Sequence, residues 1–84
     1  MYEILFSDSA KKQFLKLQKS IQERIARVLE RTRIRPEAYF IRLVGDKAYK
    51  LRVGDYRVIA DIENKQMLIL IIKVGHRKNI YDKN

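Results

Sequence analysis

The sequence predicts an α+β domain: an N-terminal strand, a helix hairpin, then a three- to four-stranded, mainly antiparallel sheet with the helices on one face. Three observations carry this. The chain opens on a short alternating segment. Two stretches with helical spacing of apolar residues follow it. The second half holds three runs of period two separated by turn residues.

Each element has a local reason. Tyr2, Ile4 and Phe6 alternate with Glu3 and Leu5 as a strand does. Ser7 to Ser9 are cap residues, and a helix to about Gln18 buries Ala10, Phe14 and Leu17 at i, i+4, i+7. Ser20-x-x-Glu23 is a capping box that predicts the start of a second helix, with Ile21, Ile25, Val28 and Leu29 as its apolar stripe. Pro36 ends that helix, because the residue before a proline avoids the helical region. Residues 39–44 read equally as a short strand or an extended loop. The clear strands are 48–53, 55–62 and 67–74, with Gly54-Asp55 and the 63–66 stretch as turns.

Composition bounds the chemistry. Residues 1–84 are expected to form a single domain, since a chain this short has material for one modest core. With no cysteine, disulfide scaffolds, thiolate metal sites and cysteine nucleophiles are excluded. A single histidine argues against a metal mechanism, so no metal and no other cofactor is expected. The three serines, Ser7, Ser9 and Ser20, fall where helix caps are expected rather than at a nucleophile's place. The opening lacks a basic segment before its apolar residues, and the longest apolar run, Met67 to Ile72, is far short of a membrane span. A soluble, cytoplasmic protein with no membrane partner is the expectation.

Charge points to a partner. Nineteen Lys and Arg stand against ten Asp and Glu, a net charge of +9. The excess is concentrated in the helical segment, where residues 9–35 carry nine basic and two acidic side chains. Such a surplus on a small domain fits a polyanion, nucleic acid above all; the plain alternative is a lysine-rich solvated surface.

Strand register sorts the remaining charges. A two-residue turn at Gly54-Asp55 pairs Val53 with Tyr56, Arg52 with Arg57 and Leu51 with Val58. A second turn at Asn64-Lys65 pairs Ile62 with Met67, Val58 with Ile71 and Arg57 with Ile72. Side-chain alternation then gives a core face of Tyr49, Leu51, Val53, Tyr56, Val58, Ala60, Ile62, Met67, Ile69 and Ile71. The opposite face holds Lys50, Arg52 and Arg57 beside Ile59, Leu68, Leu70 and Ile72. Like charges placed opposite each other are unfavourable. Either the arginines pair with Asp46, Asp55 or Asp61, or they form a cradle for a phosphate or carboxylate with Arg77 at its rim. Arginine suits the second role, because its planar fork meets two oxygens at once and stays charged.

The string Tyr49-Lys50-Leu51-Arg52-Val53-Gly54-Asp55-Tyr56-Arg57-Val58 and the closing string Val74-Gly75-His76-Arg77-Lys78-Asn79-Ile80-Tyr81 resemble the RelE/ParE superfamily of toxins from type II toxin–antitoxin pairs. Helix hairpin, strand order and size agree along the whole chain. The resemblance implies a RelE-like mRNA interferase, a metal-independent endoribonuclease that cuts mRNA in the ribosomal A site. Attack of the 2′-hydroxyl on the adjacent phosphate leaves a 2′,3′-cyclic phosphate. The implied partners are the ribosome, mRNA and a RelB-like antitoxin, with a toxin–antitoxin heterotetramer as the resting assembly.

By the same resemblance, Arg57 matches the arginine that stabilises the transition-state phosphate, Arg77 a general acid and Lys50 a general base. Tyr81 matches a tyrosine on the target nucleotide, although its spacing from Arg77 is shorter than in the best-known member. Ala48 stands where that member has a second lysine. Arg52, His76 and Lys78 are candidate substrate contacts. For His76 the choice lies between acid–base chemistry, for which histidine is the usual residue near neutral pH, and a structural or RNA-positioning role. Lys11, Lys12, Lys16, Lys19, Arg24, Arg27 and Arg31 are the candidate ribosome contacts of the helices. Two other readings share the fold: a ParE-like inhibitor of DNA gyrase with no nuclease site, and an inactive module that binds RNA or antitoxin. The presence of Lys50, Arg57 and Arg77 together favours the nuclease.

Overall fold

The computed structural model describes residues 1–80 of the chain. Strand β1 (Glu3–Phe6) leads into helices α1 (Asp8–Leu15) and α2 (Lys19–Thr32), a 3-10 turn (Pro36–Ala38), and strands β2 (Ile41–Arg42), β3 (Tyr49–Val53), β4 (Tyr56–Glu63) and β5 (Leu68–His76). The five strands form one mixed sheet in the order β1-β5-β4-β3-β2. Only β1 and β5 run parallel; the other neighbours are antiparallel. No helix among the described residues is long and apolar enough to cross a membrane.

Both helices lie on one face of the sheet. Ser7 caps α1, its Oγ accepting from the Ala10 amide at 3.1 Å. The capping box expected at Ser20 does not form. Helix α1 is shorter than expected and α2 starts earlier: α1 stops at Leu15, and the amides of Ile21 and Gln22 already bond to the Gln18 carbonyl. Ser20 therefore falls inside the first turn of α2, and Gln22 closes the connection by donating to the carbonyls of Leu15 and Leu17. The core beneath the helices contains Ala10, Ile25, Leu29, Leu51, Val53, Val58, Ala60, Ile69, Ile71 and Val74, with Phe40 sealing one edge. Pro36 opens the 3-10 turn rather than directly closing α2.

The β3–β4 hairpin has the expected register. Gly54 has φ +60°, as the first central residue of a II′-type turn requires, and Val53 pairs with Tyr56 and Arg52 with Arg57. The β4–β5 hairpin does not. An Asn-Lys pair is a poor two-residue turn, since such turns need residues that tolerate positive φ. The chain instead uses four residues, 64–67, with the Met67 amide bonded to the Asn64 carbonyl and Met67 itself at φ 52°. Glu63 thus pairs with Leu68 and Ile62 with Ile69. Met67 is an exposed turn residue, not a core one.

A second irregularity matters more. Ala60 pairs with Ile71 but Ile59 with Lys73, so Ile72 is an extra residue in β5. This β-bulge shifts the alternation by one. Ile72 and Lys73 both reach the cavity on the outer face, Val74 turns into the core, and Gly75 rather than Ile72 stands opposite Arg57. Beyond Phe6, β1 no longer accompanies β5. There the buried Val74 amide is satisfied by α1, donating to Gln13 Oε1 at 2.9 Å.

Gln13→Ala removes that acceptor and leaves a buried amide unpaired, for an expected loss of about 1–3 kcal/mol. Gln13→Glu keeps an acceptor and should retain most of the stability. Urea unfolding of the two variants measures the difference.

Candidate functional site

The outer face of the sheet is where the charges gather. Arg57 projects from β4 next to the hairpin turn, and only 7% of it is exposed. It pairs with none of Asp46, Asp55 and Asp61. Its Nη1 donates to the carbonyls of Gly54 at 2.8 Å and Tyr56 at 2.9 Å. Nε and Nη2 have no protein acceptor among the described residues. A nearly buried guanidinium fixed by neutral carbonyls is an uncompensated positive charge, a costly arrangement that an incoming anion relieves.

Around it runs a groove of about 710 Å³ lined by Val28, Ala38, Tyr39, Ile41, Lys50, Leu51, Arg52, Arg57, Arg77 and Lys78. Among the described residues it holds five cations and no carboxylate. The groove lies at the open end of β3, because β2 is two residues long and pairs only with Tyr49 and Lys50. Leu51 to Val53 therefore keep a free strand edge among the described residues. Gly75, opposite Arg57, contributes no side chain to crowd the guanidinium.

Of the residues singled out from the sequence, Lys50, Arg52, Arg57, Arg77 and Lys78 come together in this groove. Lys50 is half-buried; Arg52, Arg77 and Lys78 are exposed. Arg77 sits just past β5. Its amide donates to the Asp55 carbonyl at 2.8 Å and its Nε lies 3.6 Å from Asp55 Oδ1, which ties the end of β5 to the β3–β4 turn. His76 is not in the groove. The bulge turns it to the helix side of the sheet, where it pairs with Tyr56, packs edge-on against that ring at 5.3 Å, and accepts from the Lys78 amide at Nδ1. Tyr81 lies outside the described residues.

The helix cations Lys11, Lys12, Lys16, Lys19, Arg24, Arg27 and Arg31 are all exposed, and none has an ion-pair partner among the described residues. Arg24 reaches the β3–β4 turn: its Nη1 lies 2.9 Å from where a Cβ on Gly54 would stand. No group of three or more His, Cys, Asp or Glu able to hold a metal occurs among the described residues. Sequence reasoning missed Tyr39 and Ile41, which wall the groove. They fall in the aperiodic stretch after Pro36, where spacing gives no orientation.

A family model described as "ParE toxin of type II toxin-antitoxin system, parDE" matches residues 4–81, nearly the whole chain. The chain belongs to the RelE/ParE superfamily of type II toxins. An Escherichia coli protein described as RelE-like toxin is 30% identical over 80 residues, which is 92% of this chain and 84% of that one. The isolated E. coli RelE toxin superposes with a TM-score of 0.78 at 25% identity, covering 90% of this chain and 84% of that one. RelE–RelB from Pyrococcus horikoshii matches with a TM-score of 0.74 at 26% identity, over 93% of this chain and 97% of that one. These likenesses place the toxin on the RelE branch.

Gly54→Ala would force a positive φ on an L-residue and drive its methyl toward Arg24. The expected cost is about 1–2 kcal/mol from the backbone alone. Thermal unfolding checks it, and the double variant with Arg24→Ala should recover only the part due to the clash.

Proposed function

We propose that the toxin is a ribosome-dependent endoribonuclease that cleaves mRNA in the ribosomal A site and so stops translation. The observation that carries this reading is Arg57, nearly buried, bonded among the described residues only to carbonyls, and set in a groove of further cations. The 2′-oxygen forms a bond to phosphorus as the bond to the 5′-oxygen breaks, leaving a 2′,3′-cyclic phosphate and a free 5′-hydroxyl. Charge accumulates on the phosphate in the transition state, where fixed cationic donors help most. Arg57 supplies the fork for the phosphate oxygens. Lys50, which lines the groove beside Arg57, takes the 2′-hydroxyl proton. Arg77 serves the leaving oxygen, Arg52 and Lys78 hold flanking phosphates, and Tyr81 follows the resemblance in contacting the target nucleotide. His76, on the far side of the sheet, holds the turn before Lys78 rather than moving protons.

The ribosome holds the mRNA in line for attack, the proximity term that this small groove lacks. The exposed cations of α1 and α2 lie against ribosomal RNA. An antitoxin silences the toxin in the cytoplasm, as RelB accompanies RelE in the E. coli RelBE complex, whose toxin chain matches at 27% identity and a TM-score of 0.77.

Primer extension on translated mRNA with purified ribosomes tests the reading. Wild type should cut within the A-site codon, and naked RNA should be cut poorly or not at all. Arg57→Ala should lose about 10²–10³-fold in single-turnover rate. It also loses two bonds to its own turn, so a cost of about 1–2 kcal/mol is expected, limited by water reaching the exposed Gly54 and by relief of repulsion from Arg52. Near-wild-type cleavage by a folded Arg57→Ala would overturn the assignment. Intact mRNA with arrested replication and inhibited gyrase would instead identify a ParE-like activity.

Combined neutralisation of Lys12, Lys16 and Arg27 should weaken ribosome binding and flatten its dependence on salt, while the bound fraction still cleaves. Co-sedimentation across a salt series reads the effect.

A further inference from the structure

Tyr39 walls the groove with an aromatic ring. It follows the 3-10 turn, its amide bonded to the Pro36 carbonyl at 3.0 Å, and the next residue, Phe40, is plugged into the core. The backbone on both sides is thus fixed, yet the side chain is 42% exposed. Neither its ring nor its hydroxyl has a partner among the described residues; the nearby Arg42 lies over Tyr49 instead. Beside it Ile41 is 64% exposed. Both line the same groove as Arg57 and Arg52.

An aromatic face on a rigid turn, set against a cationic floor with no carboxylate, is the combination that binds single-stranded nucleic acid. Cations take the backbone, and the ring takes a base whose own faces are uncovered. We propose, resting on the nuclease reading above, that Tyr39 is a base-stacking platform for the substrate. It holds a nucleobase adjoining the phosphate bound at Arg57, and so selects RNA that is single-stranded and locally unstacked. Stacking uses the π-face that every base has, so the contact orients the nucleotide without choosing its identity. Tyr39 is distinct from Tyr81, the tyrosine to which the resemblance gives a nucleotide contact. A tyrosine costs little to order on binding, having two side-chain torsions and here a fixed backbone.

The test uses a single-stranded RNA with 2-aminopurine beside a 2′-deoxy scissile position, together with single-turnover cleavage on programmed ribosomes. Wild type and Tyr39→Phe should quench the 2-aminopurine and bind alike. Tyr39→Ala should abolish the quench and weaken binding or cleavage roughly ten- to a hundredfold. Its melting temperature should change little, because the side chain is outside the core and makes no hydrogen bond or ring contact among the described residues. If wild type cleaves and Tyr39→Ala quenches and cleaves equally well, the stacking proposal fails while the nuclease stands. If wild type itself does not cleave on ribosomes, the nuclease reading fails first. If Tyr39→Ala leaves RNA binding intact but weakens a RelB-like antitoxin, Tyr39 is a protein-contact residue and the proposal is overturned.

Discussion

One extra residue in β5 decides which way every later side chain of that strand faces. Ile72 is inserted opposite the Ile59–Ala60 step, and the Val74 amide, left without a strand neighbour on the β1 side, is held by Gln13 of α1. Without the bulge, strict alternation from Ile69 and Ile71 would carry Lys73 into the core and Val74 out of it. With it, Val74 completes the core, Lys73 reaches outward to the Ile80 carbonyl, and Gly75 lies opposite Arg57. The same shift sends His76 to the helix side and brings Arg77 against the β3–β4 turn. A bond between a helix and a strand 61 residues away thus sets the composition of a groove to which neither Gln13 nor Val74 contributes.

Placing Arg57 at the end of β4 has an electrostatic consequence. A guanidinium this deeply buried normally has a carboxylate, and the carboxylates of this sheet are elsewhere: Asp55 faces Arg77, and Asp46 accepts from the Ala48 amide. Carbonyl dipoles hold the Arg57 fork in position without cancelling its charge. Neutralising it internally would be simple, with one Asp at position 52 or 75, so the present arrangement keeps stability in reserve for a bound anion. The core tolerates this because the strain is local to a two-residue hairpin and is separated by a full sheet layer from the helix-covered apolar face.

Much of this was legible in the sequence. The two amphipathic stripes, the Gly54-Asp55 turn and the Arg52–Arg57 pairing follow from periodicity and turn chemistry, which act over a few residues. The β4–β5 register did not follow, because a loop without glycine leaves turn length undetermined. The bulge left one trace: Lys73 falls in phase with Ile69 and Ile71, where a charged residue contradicts a core face. The clustering of Lys50, Arg52, Arg57 and Arg77 was accessible through strand pairing, since the first three lie on β3 and β4. Tyr39 and Ile41 were not, because aperiodic chain carries no rule for direction, and Ser20 misled because a cap motif is local while the start of α2 is set by the three-residue connection before it.

The same contrast explains why the groove is open. A full-length β2 would have paired the whole of β3 and closed the edge beside Arg52. Instead β2 ends after Arg42, and the chain leaves for a loop whose Gly45 takes φ 75°. The unpaired end of β3 lets the groove wrap from the outer face around the edge to Val28 of α2. Such an edge is a liability for aggregation unless charged side chains guard it, and Arg52 with its cationic neighbours does so. The residues that equip the groove for an anion are therefore also those that keep the exposed edge from pairing with another strand. This ties solubility to the positive charge of the site and leaves little freedom to neutralise it.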